Sequence, residues 1–578
     1  MQNDIVFRVG GEGGEGVISC GEILTLACGR MGNEIYTFRS YPAEIKGGYA
    51  MFQIRTSHEV LLSQGSMVDI LVCFNQEAYD RNIKDLRKED SVLIYDSSSC
   101  QPQEGMPKNA YAIPASDLAR LEMRNYLTKN IIFLGVLSKL FGVDFSILET
   151  IIKQKLGKKG DAILNLNFQA LKKGYQYVEQ NLTKKDLFFV APRTATENRL
   201  ILSGNQALAM GAIAAGCRFY AGYPITPATD IMEFLARELP KFGGAVVQAE
   251  DEIAALSMVL GAAYTGSKAM TASSGPGISL MAELLGLAGM AEIPVVIVDC
   301  QRAGPSTGMP TKTEQSDLNH ALYAGHGEAP RIVMALSSVE DAFFGMIRAF
   351  NYAVRCQTPV IVLSDQYLAQ RTATIRRPDL SKVVVEERLK PTPQELESYK
   401  RFQLTESGVS PMSIPGDKGG VYTATGIEHD EGCELSYEPE NHYQMSAKRF
   451  KKLNLVLKGP DLYRRHGVED QEIGIIGWGS SEGVIREAVK KANERGMKVA
   501  AFHPKLLFPM LPEIEVFIRS CKKVLVPELN YTGQFAREIR ARFGVNVIPY
   551  NKVAGLPFTP DELLKKVEEV HEQITTKV

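Results

Sequence analysis

The stretch that decides the fold is Gly222-Tyr223-Pro224-Ile225-Thr226-Pro227-Ala228-Thr229. Upstream of it, 204–216 is rich in Ala and Gly and reads as a helix, and 218–221 reads as a short strand. Two prolines bracket Ile-Thr, so φ is fixed twice and the residues before each are pushed into extended geometry. The Thr226 hydroxyl is therefore expected on a stiff loop at the end of a strand. Ligand sites of open α/β sheets lie at that edge.

Working outward, residues 199–370 read as an α/β unit in which Gly/Ala-rich helices alternate with short apolar strands at 244–248, 295–298 and 359–363. Residues 1–185 read as a second such unit, with strands at 5–9, 51–54, 70–74 and 91–95. This alternation predicts a largely parallel sheet covered by helices. Residues 186–198 are polar and read as a linker. Residues 371–467, rich in Pro, Gly and charge, read as a long surface connection ordered against a neighbour. Residues 468–578 form a third unit: a strand at 473–476 leads to a helix with Ile485, Ala488, Val489 and Ala492 at helical spacing, and Gly496 stops it. The expected fold class is α/β, in three units.

Composition narrows the function. The chain has 578 residues, with Lys+Arg 65 against Asp+Glu 67, which gives no argument for nucleic acid or an anionic membrane surface. No apolar run approaches the ~18 residues that span a bilayer. The N-terminus lacks the regions of a signal peptide, and the expected location is cytoplasmic. Nine cysteines stand singly with no C-x-x-C pair, so neither a zinc site, an iron–sulfur cluster nor a disulfide framework is expected from this chain alone.

Three segments carry chemistry. Gln248-Ala249-Glu250-Asp251-Glu252 ends an extended run at three carboxylates where a helix begins, which either favours the helix dipole or supplies a functional acid. The run from Asp299 to Asp317 follows a strand and holds Arg302, Thr307, Thr311 and Lys312. Arg302 could fork onto a substrate carboxylate or pair internally with an Asp or Glu. A cationic, hydroxyl-lined loop of this kind suits a 2-oxo acid. Third, Gly10-Gly11-Glu12-Gly13-Gly14-Glu15-Gly16 contains G-x-G-x-x-G between strand and helix, a phosphate-cradling pattern. Glu34 lies near the spacing of a ribose-binding acid but starts a strand, and Glu12 and Glu15 would repel phosphate. Gly11, Gly13, Gly14 and Gly16, with Lys46, could instead hold another nucleotide-tailed molecule such as coenzyme A.

Together these segments resemble the α subunit of the 2-oxoacid:ferredoxin oxidoreductases, with the family's gamma domain fused at the N-terminus. The resemblance rests on Tyr223-Pro224-Ile225-Thr226-Pro227, on Arg302 and Thr313-Glu314-Gln315-Ser316-Asp317, on 426–432 and on Glu528 to Gln534. It implies that residues 1–185 are the coenzyme A-contacting gamma domain, 199–370 the pyrimidine-side thiamine diphosphate domain and 468–578 a transketolase C-terminal-like domain. Carried over by position, Tyr223 to Thr226 border the cofactor and Thr226 faces the reacting centre. Glu252 activates the aminopyrimidine; its place nine residues before Gly261 selects it over Glu250. Arg302 grips the substrate carboxylate and Thr311 lines the pocket. The domain arrangement and the loop Ser306 to Lys312 resemble those of the 2-oxoglutarate enzymes, which favours that substrate; Thr307 adds a donor on the loop, and Lys312 could serve a distal carboxylate. The Gly11–Gly16 loop and Lys46 lie near coenzyme A.

No Gly-Asp-Gly segment for Mg2+ and diphosphate is present, since Gly160-Asp161 is followed by Ala162. In the family, Mg2+ and a 4Fe-4S cluster belong to a separate β subunit. The resemblance therefore implies half an active site, completed by β in an (αβ)2 heterotetramer, with no metal on this chain and ferredoxin as electron partner. A broad or branched-chain 2-oxo acid, or a non-catalytic nucleotide-binding regulatory subunit, are the alternatives. His429, among Glu428, Asp430 and Glu431, reads as part of a solvated or interface loop.

Overall fold

The computed structural model describes residues 4–42, 47–87, 90–103, 106–194 and 198–576. Its strands form three sheets, and the chain folds into two compact units. The first unit is Met1–Leu202 with Gln370–Arg377. Its eight-stranded sheet runs in the order Asn109–Ile113, Val92–Asp96, Ile70–Cys73, Asp4–Glu12, Tyr49–Ser57, Glu34–Ser40, Thr372–Arg376, Arg199–Ser203. The first four strands are mutually parallel. Tyr49–Ser57 is antiparallel to both its neighbours, Asp4–Glu12 and Glu34–Ser40, so the sheet is mixed, where the sequence predicts it largely parallel. The reason is length: the link after Ser40 is far too short for a parallel crossover and forces a hairpin-like return. Arg199–Ser203, which the sequence places at the head of the second unit, extends the edge of this sheet beside Thr372–Arg376.

The second unit, Ser203–Ala369 with Pro378–Val578, contains two sheets. The larger runs Leu506–Phe508, Ile332–Ala335, Val360–Asp365, Val296–Gln301, Lys268–Ser273, Cys217–Gly222, Ala245–Gln248. All neighbours are parallel except Leu506–Phe508. Val296–Gln301 and Val360–Asp365 are buried throughout, as parallel strands covered on both faces must be. The smaller sheet runs Tyr463–Gly467, Val499–Pro504, Ile473–Ile476, Lys523–Glu528, Ile548–Asn551. Its helices Glu482–Glu494 and Pro560–Thr575 pack Ile485, Val489, Leu563 and Val567 into one core.

Chain order reverses in the larger sheet at Cys217–Gly222. The following strand, Ala245–Gln248, lies on one side and the next, Lys268–Ser273, on the other. This is the topological switch point at which such sheets leave a crevice beyond their C-terminal ends.

Residues after Pro378 strap the opposite edge. Arg388 donates to the carbonyls of Ala263 and Tyr264 and so closes the C-terminus of helix Glu252–Tyr264. Gln357, just past helix Val339–Cys356, donates to Ser410 O at 2.7 Å. Beneath the strap, the wholly buried Glu292 is bound by Lys448 (2.7 Å) and Lys452 (2.8 Å), and Arg401 donates to its backbone carbonyl at 2.9 Å. His429 is likewise fully buried, with its ring 4.0 Å from that of Phe402 and Nδ1 paired with Ile427 O at 2.9 Å. The charged sequence around it suggests solvent, but Glu428 is taken up by Arg449 and His442, which leaves the imidazole free to pack.

Candidate functional site

Four segments leave the C-terminal ends of adjacent strands at the switch point: 223–228, 249–252, 274–277 and 302–317. The three carboxylates of the second are sorted by the backbone. Glu250 is exposed. Asp251 caps helix Glu252–Tyr264 by accepting from Ala254 N at 2.7 Å. Glu252 turns inward and is 6% exposed. Its neighbour is Ser273, the last residue of Lys268–Ser273, whose hydroxyl donates to Glu252 Oε1 at 3.4 Å. A carboxylate accepts several hydrogen bonds, so Glu252 keeps capacity for another donor. Gly277 presses on the same side chain: a Cβ there would lie 2.7 Å from Glu252 Cγ.

The proline-bracketed loop is held from below. Asn205, wholly buried at the start of helix Gly204–Ala214, donates to Pro227 O at 2.8 Å. Arg302 Nη1 donates to Thr226 O at 2.7 Å. Thr226 and Arg302, 76 residues apart, are thus brought together through the threonine carbonyl. Thr226, Pro224 and Ile225 are half-buried and Tyr223 is exposed. Arg302 is 7% exposed, and its Nε has no hydrogen-bond partner among the described residues. Burial presses its pKa below the ordinary arginine value, and the charge of Asp317 opposes that. A buried, under-committed guanidinium at a strand end has room for an anion.

The loop beyond Arg302 turns back on itself. Met309 N donates to Ala303 O at 2.8 Å, and Ala303 N to Lys312 O at 3.0 Å. Thr307 sits on the exposed tip, Thr311 is buried, and Lys312 packs its stem against Gly555. Gln315 then ties the loop to the smaller sheet. Its backbone N–H donates to Leu529 O (2.8 Å) and its Nε2 to Trp478 O (2.8 Å), while its carbonyl accepts from Asn530 Nδ2 (2.9 Å). Gln534 Nε2 adds a bond to Ser316 O at 2.7 Å. The motif 313–317 therefore works with Glu528–Gln534 as one interlocked element.

In the first unit, the Gly-rich loop links Asp4–Glu12 to helix Val17–Arg30, with Gly14 and Gly16 at positive φ. Gly13 exchanges hydrogen bonds with Gly48 O (2.8 Å) and Gly47 N (3.3 Å). Glu15 lies against Tyr126 OH (2.7 Å), Asn75 (2.9 Å) and Lys129 (3.1 Å), a lysine it shares with Asp96 (2.9 Å), so its charge is only partly offset. Gly11 is buried and Lys46 lies outside the described residues. Glu34 is buried and paired with Arg193 and Arg199, which commits the candidate ribose acid to structure.

Sequence reasoning did not single out Asn205, Ser273 or Gly277, and it gave no separate role to the buried carboxylates Asp299 and Asp317 that bound the Arg302 run. Ser273-Ser274-Gly275-Pro276-Gly277 was a visible signal, a run of small residues following an apolar strand. Asp299 is 1% exposed, and neither of its carboxylate oxygens has a hydrogen-bond partner among the described residues. Among those residues, no three His, Cys, Asp or Glu side chains cluster as a metal site. Glu252, with spare acceptor capacity beside the side-chain-free Gly277, fits the polar edge of an aminopyrimidine ring. The same loops offer no carboxylate cage for a diphosphate-bound cation.

Three family profiles cover most of the chain: "Pyruvate flavodoxin/ferredoxin oxidoreductase, thiamine diP-bdg" over residues 210–448, "Pyruvate ferredoxin/flavodoxin oxidoreductase" over 6–177, and "Pyruvate:ferredoxin oxidoreductase core domain II" over 471–563. The 2-oxoglutarate oxidoreductase subunit KorA of Mycobacterium tuberculosis is 35% identical over 97% of this chain and 90% of its own length. The 2-oxoacid:ferredoxin oxidoreductase subunit alpha of Sulfolobus sp is 34% identical over 96% of this chain and 95% of its own. Among solved structures, the 2-oxoglutarate:ferredoxin oxidoreductase from Magnetococcus marinus, with 2-oxoglutarate, coenzyme A and succinyl-CoA bound, is 44% identical. It superposes with a TM-score of 0.93 over 98% of this chain and 100% of that one.

Proposed function

The chain belongs to the α subunits of the 2-oxoacid:ferredoxin oxidoreductases, and from that membership we propose that it supplies the aminopyrimidine-activating acid and the substrate clamp for oxidative decarboxylation of 2-oxoglutarate. The reaction converts the 2-oxo acid, coenzyme A and oxidised ferredoxin into acyl-coenzyme A, CO2 and reduced ferredoxin, and can reverse when ferredoxin is strongly reducing. The observation that carries the reading is the inward turn of Glu252 at the switch point, where its carboxylate is buried but nearly uncommitted. The substrate preference is supported by the 2-oxoglutarate named for two of the similar proteins.

Bound thiamine diphosphate supplies the electron sink that lets a 2-oxo acid lose CO2. Glu252 would hold the aminopyrimidine and take and return a proton at its free carboxylate oxygen. Arg302, already fixed by Thr226 O, would fork onto the substrate carboxylate through its remaining N–H groups. Tyr223, Pro224, Ile225 and Thr226 would border the ring and the reacting carbon. Thr311, Thr307 and Lys312 would line the substrate side. Gly11, Gly13, Gly14, Gly16 and Lys46 of the gamma-type unit would contact coenzyme A, whose phosphates suit a Gly-rich loop at a helix start.

Mg2+, the diphosphate anchor and a 4Fe-4S cluster would come from a β subunit in an (αβ)2 assembly. Exposed apolar side chains on the segments that follow the switch-point strands support this: Tyr223 is 43%, Ile253 46% and Leu280 52% exposed. Exposed apolar surface next to a site is common at protein interfaces. No helix among the described residues is long and apolar enough to cross a membrane. The free cysteines suit a reducing cytoplasm.

The test is Glu252→Gln in a chain co-expressed with its β subunit. Assembly should be retained while coenzyme A-dependent viologen reduction falls at least about 100-fold. An assembled, fully active variant would leave a nucleotide-binding regulatory role as the better account.

A further inference from the structure

The substrate loop carries a second cation whose placement depends on a distant part of the chain. Ala303 N donates to Lys312 O at 3.0 Å, and Lys312 N donates to Met309 O at 3.0 Å. Lys312 therefore stands across the turn from the residue that follows Arg302. Two cations on facing arms of one turn suit a substrate with a carboxylate at each end.

The stem of Lys312 lies on Gly555, in the loop that follows strand Ile548–Asn551. Gly555 has φ +63, and a Cβ there would fall 2.8 Å from Lys312 Cβ, 3.1 Å from Cγ and 3.5 Å from Cδ. Successive carbons of the stem thus run along a bare glycine, which is buried although its neighbours Val553 and Leu556 are exposed. A lysine can pack its methylene stem in this way and still present the ammonium at its tip.

Neither side of this contact is able to retreat. Lys552 N donates to Glu528 O at 3.0 Å, and its ammonium is held by Pro557 O (2.9 Å) and by both oxygens of Glu562 (2.8 Å). Residues 553–556 are bracketed between those anchors. On the facing side, Gln315 commits its backbone N–H and C=O and both polar side-chain atoms to Trp478, Leu529 and Asn530. Asp317 N closes the loop on Gln301 Oε1 at 3.1 Å. Close-packed, anchored segments pass strain on rather than absorb it. A side chain at position 555 would therefore displace the lysine stem and leave Arg302 on Thr226 O.

We propose that Gly555 is a specificity-determining position: the room it leaves for the Lys312 stem aims the ammonium at the distal carboxylate of a 2-oxo dicarboxylic acid whose other end is held by Arg302. Gly555 acts through Lys312 and is a positioning residue. The inference rests on the reading of 2-oxoglutarate as substrate and Arg302 as its clamp. A side chain at 555 would forfeit the preference for a dicarboxylic acid without disabling the chemistry.

The test is steady-state kinetics of the assembled α–β enzyme on 2-oxoglutarate and on 2-oxopentanoate, which has the same chain length and a methyl group in place of the distal carboxylate. In Gly555→Ala, KM for 2-oxoglutarate should rise at least about 10-fold with kcat nearly kept, while kcat/KM for 2-oxopentanoate stays within about threefold. Gly555→Asn separates the clash from backbone strain, because asparagine tolerates positive φ, and should show the same loss. In a Lys312→Met background, Gly555→Ala should raise KM for 2-oxoglutarate by no more than about twofold, since the ammonium it displaces is already gone. Equal losses on both substrates, no loss, or full additivity with Lys312→Met would overturn the proposal. So would a Lys312→Met enzyme that keeps the wild-type preference for 2-oxoglutarate. A wild-type enzyme that does not favour 2-oxoglutarate over 2-oxopentanoate would remove the substrate reading itself, and this inference with it.

Discussion

Gly277→Ala adds one methyl group at the point where the small-residue loop touches Glu252. The new Cβ would fall inside 3.0 Å of Ser273 Oγ and Glu252 Oε1 and 2.7 Å from Glu252 Cγ. Restoring ordinary contact needs a retreat of roughly 0.7 Å or more by a side chain already packed into the site. Alanine is the better helix former by about 1 kcal/mol, and Gly277 lies within helix Gly275–Leu280, so the backbone would welcome it. Overpacking costs about 1–3 kcal/mol, which leaves a net destabilisation of about 0–2 kcal/mol. The catalytic loss should be larger than that suggests, since displacing a reacting group by about 1 Å costs on the order of 100-fold in rate. The assay pairs calorimetric melting with coenzyme A-dependent viologen reduction by the α–β complex. A melting temperature nearly unchanged beside a rate lowered about 100-fold is expected. A variant within twofold of the wild-type rate would refute the premise that this contact fixes Glu252.

Arg302→Lys keeps the charge and loses the planar fork; kcat/KM for the 2-oxo acid should fall about 10- to 100-fold, mainly through KM, measured by steady-state kinetics. Glu292→Gln leaves Lys448, Lys452 and Arg401 buried without their counter-charge and should destabilise the chain by about 3–5 kcal/mol in urea titration. Because Glu292 lies at the strapped edge, activity per folded molecule should be unaffected. Glu482 is buried, which alone would raise its pKa, but His466 at 2.9 Å, His503 and Ser337 outweigh that and hold it at about 2. A depressed carboxyl contributes stability above its unfolded value and loses it as pH falls toward the folded one. The contribution, on the order of 3 kcal/mol, should therefore vanish between roughly pH 4.5 and pH 2. Glu482→Gln should flatten that part of the acid-denaturation curve.

The elements most legible from the sequence are those whose meaning is local. Pro224 and Pro227 dictate a stiff loop wherever they stand, and Arg302 directly follows an apolar strand. The spacing to Gly261 selects Glu252 over Glu250, and the fold sorts the two by a local device: Asp251 takes the cap, and the next residue is buried. What escaped depends on register and distance. Asp299 reads as the first residue after an apolar strand, whereas the fold sets it inside Val296–Gln301, in register with Ser273. Gln315 bonds to residues 163 and 214 positions away. His429 reads as part of a solvated or interface loop, and its burial rules out the solvated form: the carboxylate beside it is satisfied by Arg449 and His442, which nothing in its own loop announces. The antiparallel strand Tyr49–Ser57 was foreseeable from its short connection, whereas the edge position of Arg199–Ser203 required a partner strand more than 160 residues on.

The central claim is that this chain contributes the activating carboxylate to a thiamine site whose diphosphate is anchored by another subunit. A density map of the α–β enzyme loaded with thiamine diphosphate tests it most directly. The aminopyrimidine should lie within hydrogen-bond reach of Glu252, with Mg2+ and the diphosphate held by residues of the other chain. A ring placed away from Glu252, or a diphosphate held by this chain, would contradict the account.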